Sequence, residues 1–234
     1  SAKRLGEILR ARGITGVLLG PAPGLPRAPK LNWSALAPVK IGVPYPDLPL
    51  PCAMPNQYHA MQRVLERLRT LGYRRLGLVL ASHQNIKTSA MWLTPFSYHE
   101  QHTPPADRVA PLILGEWSEK SFVRWFKSHR PEAIIGLRKE LITWVERLGL
   151  RVPNDVGFVH LDLRTESGAF AGMDQRPGQI GAAAFDLVMG RLLANERGLP
   201  ETQRLLLIDS VWVDGPTLPR RAEKPGRRAR ARTG

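Results

Sequence analysis

The chain has 234 residues and a mass of 26.1 kDa, enough to bury a sizeable core in one large domain or two lobes. Hydrophobic residues make up 43% and charged residues 23%, values of a soluble globular protein, and no run approaches the ~18–20 apolar residues of a membrane span. The net charge is +14, of which +6 sits in residues 220–234 (seven Lys/Arg, one Glu), and the single cysteine, Cys52, excludes an intrachain disulfide framework and fits a reducing, cytoplasmic setting.

Helix and strand patterns alternate along the chain. Residues 2–12 read as a helix with Leu5, Ile8 and Leu9 on one face, and Gly13 stands where a C-capping glycine would. Residues 14–19 are a short apolar run, the pattern of a strand buried on both faces. A second such run covers 39–43. The stretch 44–55 holds five prolines and is expected to be an extended connector. Residues 57–71 predict a helix, because Tyr58, Met61, Val64, Leu65, Leu68 and Leu71 recur three or four apart.

The alternation continues to the end. Residues 75–81 predict a strand, 87–101 a helix interrupted by Pro95, and 109–114 a strand. Ser118 is placed to cap a helix whose inner edge is Phe122, Trp125 and Phe126. A strand follows at 133–137, a helix at 139–148, a strand at 156–162, a long helix at 177–195 with Pro177 in its first turn, and a last strand at 205–213. Beyond 219 the tail lacks apolar residues other than Ala, and disorder is expected. Its arginines could meet nucleic-acid phosphates without reading sequence, or simply solubilise the terminus.

Strands alternating with helices through short loops imply an α/β protein with parallel sheets flanked by helices. Ligands of such sheets sit beyond the carboxyl ends of the strands. The residues in those places are Gly20, His83 to Asn85, Trp117, Arg138, and Asp162 to Arg164. No phosphate-binding loop, dinucleotide fingerprint or nucleophile elbow is present. His99 and His102 have no acidic or cysteine partner at a metal-binding spacing, and Cys52 has no nearby base. Neither catalysis nor a metal or other cofactor is expected.

Several segments, taken in order, resemble the effector-binding domain of the LacI/GalR family of bacterial transcription regulators. They are Arg12-Gly13-Ile14-Thr15-Gly16-Val17-Leu18-Leu19, Leu71-Gly72-Tyr73-Arg74-Arg75-Leu76-Gly77-Leu78-Val79, Gly149-Leu150-Arg151-Val152-Pro153-Asn154-Asp155-Val156-Gly157-Phe158-Val159 with Leu161-Asp162, and Asp174-Gln175-Arg176-Pro177 with Ile180-Gly181 and Ala184. The third is the most specific, and the set looks closest to a verrucomicrobial-type subgroup. The resemblance covers about residues 2–218. It implies two periplasmic-binding-protein-like lobes of type I. Residues 1–56 would begin the first lobe, 57–175 form the second, 176–200 return a helix to the first, and 201–218 supply the last strand and crossover, ahead of a basic tail at 219–234. A small-molecule effector, such as a sugar or sugar derivative, would lie between the lobes. Its binding would be coupled, through a homodimer, to operator DNA.

The resemblance also implies site residues. Asp162 matches an aspartate that accepts hydrogen bonds from ligand hydroxyls, although it could cap a turn instead. Gln175 matches a glutamine bordering the pocket, or else makes a hinge hydrogen bond. Trp117 aligns with an aromatic that stacks on a sugar face, or else packs beside a helix start. Departures are as informative. Trp92, with Lys87 nearby, falls where many members carry a ligand-clamping arginine. Leu137-Arg138 replaces an Asn-Asp pair, Val43 a customary aspartate, and Gly20 a polar residue. An anion met by Arg138, Lys139 or Lys87 is therefore one reading, and solvated surface charge the other.

Members of the family open with a helix-turn-helix and two strands that have no counterpart here. The chain is thus expected to be a fragment with an incomplete first lobe, one missing strand being central, and to be unstable alone. Specific operator binding is not expected of it. A periplasmic solute-binding protein is the rival reading, since it shares the two-lobe architecture.

Overall fold

The computed structural model describes residues 2–22, 27–43, 45–163 and 168–220. The expectations placed on Arg164 and on the tail from 221 onward lie outside the described residues. Ten strands and seven α-helices run in the order α1 (Ala2–Ala11), β1 (Gly16–Leu19), β2 (Ala37–Ile41), β3 (Cys52–Pro55), α2 (Gln57–Thr70), β4 (Leu76–Ala81), α3 (Ser82–Lys87), α4 (Leu93–His102), β5 (Leu112–Leu114), α5 (Glu119–His129), β6 (Ala133–Gly136), α6 (Glu140–Glu146), β7 (Gly157–His160), β8 (Ala171–Asp174), α7 (Pro177–Leu193), β9 (Leu205–Ile208) and β10 (Val211–Val213) among the described residues. They form two sheets, β1-β2-β3-β9 and β10-β8-β7-β6-β4-β5. Every pairing is parallel except β10 with β8. The expected α/β class with helix-flanked parallel sheets is what the chain adopts.

The six-stranded sheet lies between two apolar layers, because side chains alternate along each strand. Leu76, Leu78 and Leu80 of β4 meet Met61, Val64, Leu65 and Leu68 of α2 and Phe96 of α4. Val79, on the opposite face, meets Phe122, Trp125 and Phe126 of α5 and Leu141, Trp144 and Val145 of α6. This agrees with the helical spacing read in 57–71 and with the expected inner edge of the helix after Ser118. Ser118 does cap α5, accepting from the Ser121 N–H at 3.4 Å. At Gly172 the neighbouring strand leaves no room for a side chain: a Cβ would stand 2.0 Å from the His160 carbonyl oxygen.

In the four-stranded sheet, Val39 of β2 and Ala53 of β3 pack on Ile180, Ala184 and Val188 of α7. Gly16 admits the Val188 side chain, which would lie 2.8 Å from a Cβ there. Strand β1 pairs only with β2 among the described residues, so it is an edge strand. Helix α1 forms as its periodicity predicts but buries none of its residues, and Leu5 and Ile8 are 45% and 40% exposed.

The chain crosses between the sheets three times, at Asn56, at Gln175-Arg176 and at Asp209-Ser210. Three expectations are corrected here. The proline-rich stretch 44–55 is not wholly a connector: residues 52–55 are β3, which accommodates Pro55 at its end and pairs with both β2 and β9. The strand expected over 205–213 is two strands in different sheets, because Asp209-Ser210 carries the chain across. The helix expected over 87–101 forms only from Leu93, as α4: Lys87 is the last residue of α3, and Ser89 and Ala90, with φ of 49° and 58°, break helical geometry between the two.

Candidate functional site

Parallel strands all end on the same edge of their sheet, and the chain beyond each end is free of ladder hydrogen bonding. In the six-stranded sheet β5, β6, β7 and β8 therefore deliver Trp117, Arg138, Asp162 and Gln175 to one edge. The guanidinium carbon of Arg138 lies 4.7 Å above the ring centre of Trp117, bridging across β4, which separates their strands. The indole also meets the aromatic layer, with the Trp144 ring centred 5.2 Å away. The Trp117 Nε1 atom is buried and has no hydrogen-bond partner. The ring is thus both an outer part of the core and the platform for a partly exposed cation.

Asp162 is half-buried, directly after β7. Its N–H donates to Nδ1 of buried His160 at 3.2 Å, and the His160 ring stacks on Phe170 at 5.7 Å. The sequence carries no local signal for this histidine support, because the stacking partner Phe170 comes from a separate segment. The Gln175 side chain is buried and its Nε2 donates to the Leu161 carbonyl at 2.7 Å. It ties the second crossing to the end of β7 as a hinge hydrogen bond. Trp92 is 1% exposed and belongs to the core between α2, α4 and β4. Its ring fills the interior and reaches no ligand surface in this structure. Lys87 donates to the Ala22 carbonyl, joining α3 to the loop after β1.

A second group of residues went unnoticed in the sequence. Register places Leu19, Lys40, Cys52 and Leu205 side by side across the four strands of the first sheet. Lys40 is 1% exposed. Its Nζ donates to the carbonyls of Leu48 at 2.6 Å and Tyr45 at 3.0 Å, and burial pushes its pKa down. Burial likewise pushes the Cys52 thiol up to about 11, against the pull of the Lys40 charge, and Cys52 Sγ donates to the Gly42 carbonyl at 2.7 Å. Lys40, Cys52 and Met54 line a cavity of about 110 Å³ that Ser89 and Met91 close from the α3–α4 link. The available signal was a lysine inside the apolar run Ala37-Pro38-Val39-Lys40-Ile41.

Two sheet units joined by three crossings, with polar and aromatic residues gathered at strand ends, define a two-unit α/β fold. The chain belongs to the periplasmic binding protein-like domain family, whose description matches residues 65–213. No curated protein sequence matches it. Among solved structures it is similar to a putative LacI-family regulator from Rhizobium etli, with 19% identity over 94% of this chain and 84% of that one and a TM-score of 0.66. It is also similar to a LacI-family transcriptional regulator from Enterococcus faecium with bound ribose (12% identity, 95% of this chain, 85% of that one, TM-score 0.63). A third is the LacI-family regulator from Weissella paramesenteroides with bound glucose (12%, 94% and 82%, TM-score 0.63). At these identities the likeness establishes the fold.

Proposed function

We propose that this chain is the ligand-sensing domain of a LacI-type transcriptional regulator. A small-molecule effector is held between the two sheet units, and its binding is transmitted through a homodimer to DNA-reading modules that precede this domain. No chemistry is performed on the effector. The observation that carries this reading is the placement of Trp117, Arg138 and Asp162 on one sheet edge of a chain that crosses three times between its units. Closure about three short crossings changes the relative placement of the units while leaving each core intact. The ribose and glucose bound by the Enterococcus and Weissella regulators support a sugar or sugar derivative as effector class.

In this reading Asp162 accepts from ligand hydroxyls and the Trp117–Arg138 pair faces the ligand, while Gln175 braces the second crossing behind them and Trp92 supports the site from the core. Residues 1–56 and 176–200 make the first lobe with its return helix, 57–175 the second, and 201–218 the final strand and crossover. The protein works in the cytoplasm. No helix among the described residues is long and apolar enough to cross a membrane.

A solute-binding protein has the same architecture, and the family match serves both readings. The test is a thermal-shift screen of sugars, sugar acids, sugar phosphates and purines, followed by operator-binding assays on the gene product with its upstream sequence. A true effector raises the melting temperature by mass action, with about 2.7 kcal/mol at a hundredfold excess over Kd, and alters DNA affinity. An effector that binds without any change in DNA affinity would sink the regulator reading.

A further inference from the structure

We propose that Lys40 is an anion subsite between the two units, so that the effector carries a carboxylate or phosphate group. This rests on the sensor reading above and adds the charge of the ligand to it. Lys40 stands in the interior of a four-stranded sheet, between Leu19 and Cys52. An ammonium group has three N–H donors. Two are spent on the Leu48 and Tyr45 carbonyls, and the third remains for the cavity that Lys40 lines.

Carbonyl dipoles solvate a cation without neutralising it. No carboxylate forms an ion pair with Lys40 among the described residues. Cys52, the ionisable neighbour that acts on it, is held in the neutral thiol form by burial. A buried cation without a counter-charge is costly, and an incoming anion relieves that cost. Gln203, on the same cavity wall, donates one Nε2 hydrogen to the Leu50 carbonyl at 3.1 Å and has a second to offer. The cavity of about 110 Å³ admits a carboxylate or phosphate but not a whole sugar, for which sites of roughly 300–1,000 Å³ are usual. It suits the charged end of a larger ligand whose remainder extends along the interface between the units.

The experiment measures binding of inorganic phosphate, gluconate, glucose 6-phosphate and glucose to the full chain by calorimetry. Two variants are included. Lys40→Met keeps the stem and removes the charge, and Gln203→Leu removes the second donor while leaving both Lys40 hydrogen bonds in place. The expected result is that gluconate or glucose 6-phosphate binds at least tenfold more tightly than glucose, with a tenfold or greater loss in Lys40→Met and a smaller loss in Gln203→Leu. Inorganic phosphate binding as tightly as the sugar phosphate would make a free anion the occupant and overturn the effector part of the proposal. Anion binding unchanged in both variants, or absent while glucose binds, would overturn the subsite and leave the sensor reading standing. Absence of binding by every sugar and anion counts against both.

Discussion

The Arg138 guanidinium lies 4.7 Å over the centre of the Trp117 ring, joining the chain segments that follow β6 and β5. An arginine over an indole contributes about 0.5–1 kcal/mol when exposed and ~2 kcal/mol or more when desolvated. The pair therefore gains strength when a ligand and the opposing unit exclude water from it. We expect Arg138→Met to change the ligand-free melting temperature little, since the stem still covers the ring. It should weaken effector binding by roughly tenfold, corresponding to about 1.4 kcal/mol. Calorimetry on the two proteins checks this, and equal affinities would remove Arg138 from the site.

Asp162 is fixed by its backbone bond to His160 and by position, while its half-buried side chain reaches the sheet edge. Asp162→Asn keeps the size and one acceptor oxygen but loses the charge and replaces the second acceptor oxygen with an NH2 donor. The expected outcome is loss of most of the effector-induced rise in melting temperature, with the unliganded protein within a few degrees of wild type. A ligand-induced rise of full size in the variant would show that Asp162 serves only its local turn.

Gly172 faces backbone and not a movable side chain: its Cβ position is 2.0 Å from the His160 carbonyl oxygen. Gly172→Ala must push β8 away from β7 or deform the stretch between His160 and Asp162. Overpacking of this kind costs about 1–3 kcal/mol. Urea denaturation should show a lower midpoint. Weaker effector binding is expected alongside, because Asp162 follows the same strand end. A midpoint unchanged within error would mean the pairing seen here is wrong.

The first and third crossings are tied by Asp209, whose Oδ1 accepts from Asn56 Nδ2 at 3.0 Å and lies 3.0 Å from His59 Nδ1. The hydrogen bond to His59, then the His59 charge, the Asn56 amide and the Arg63 charge, hold the Asp209 carboxyl below the ordinary carboxylate range against the upward pull of burial. A carboxyl with a depressed folded-state pKa adds stability above its unfolded pKa of about 3.9, and that contribution disappears as pH falls through the lower folded value. Asp209 is mostly exposed, so the contribution is small. Asp209→Asn should melt slightly below wild type at pH 7 and converge with it on acidification below about pH 3.9. A gap that stays constant to pH 2.5 would show that the charge plays no part.

Much of the fold is legible in the sequence because local rules govern it. The 3.6-residue spacing of Met61, Val64, Leu65 and Leu68 is a property of α2 alone, and the Ser118 cap is satisfied within four residues. The strand at 205–213 was misread because apolar character marks a strand but not the sheet it joins, and Asp209-Ser210 divides β9 from β10 only through long-range pairing. The short strand β3 was hidden for the opposite reason. Pro55 and the four prolines that precede the strand argue against regular structure locally, yet pairing on both sides and burial of all four residues outweigh that preference.

By itself, then, the sequence determined the α/β alternation, the parallel sheets and the strand-end positions of Trp117, Arg138 and Asp162. Those features follow from periodicity and chain order, which are local. Tertiary structure alone decided that Trp92 turns into the core, that Gln175 is spent on Leu161, and that Lys40 is enclosed beside Cys52. Lys40–Cys52 and Gln175–Leu161 are only 12 and 14 residues apart, but their contacts depend on strand register and on crossings between the sheets, which hydrophobic periodicity does not encode.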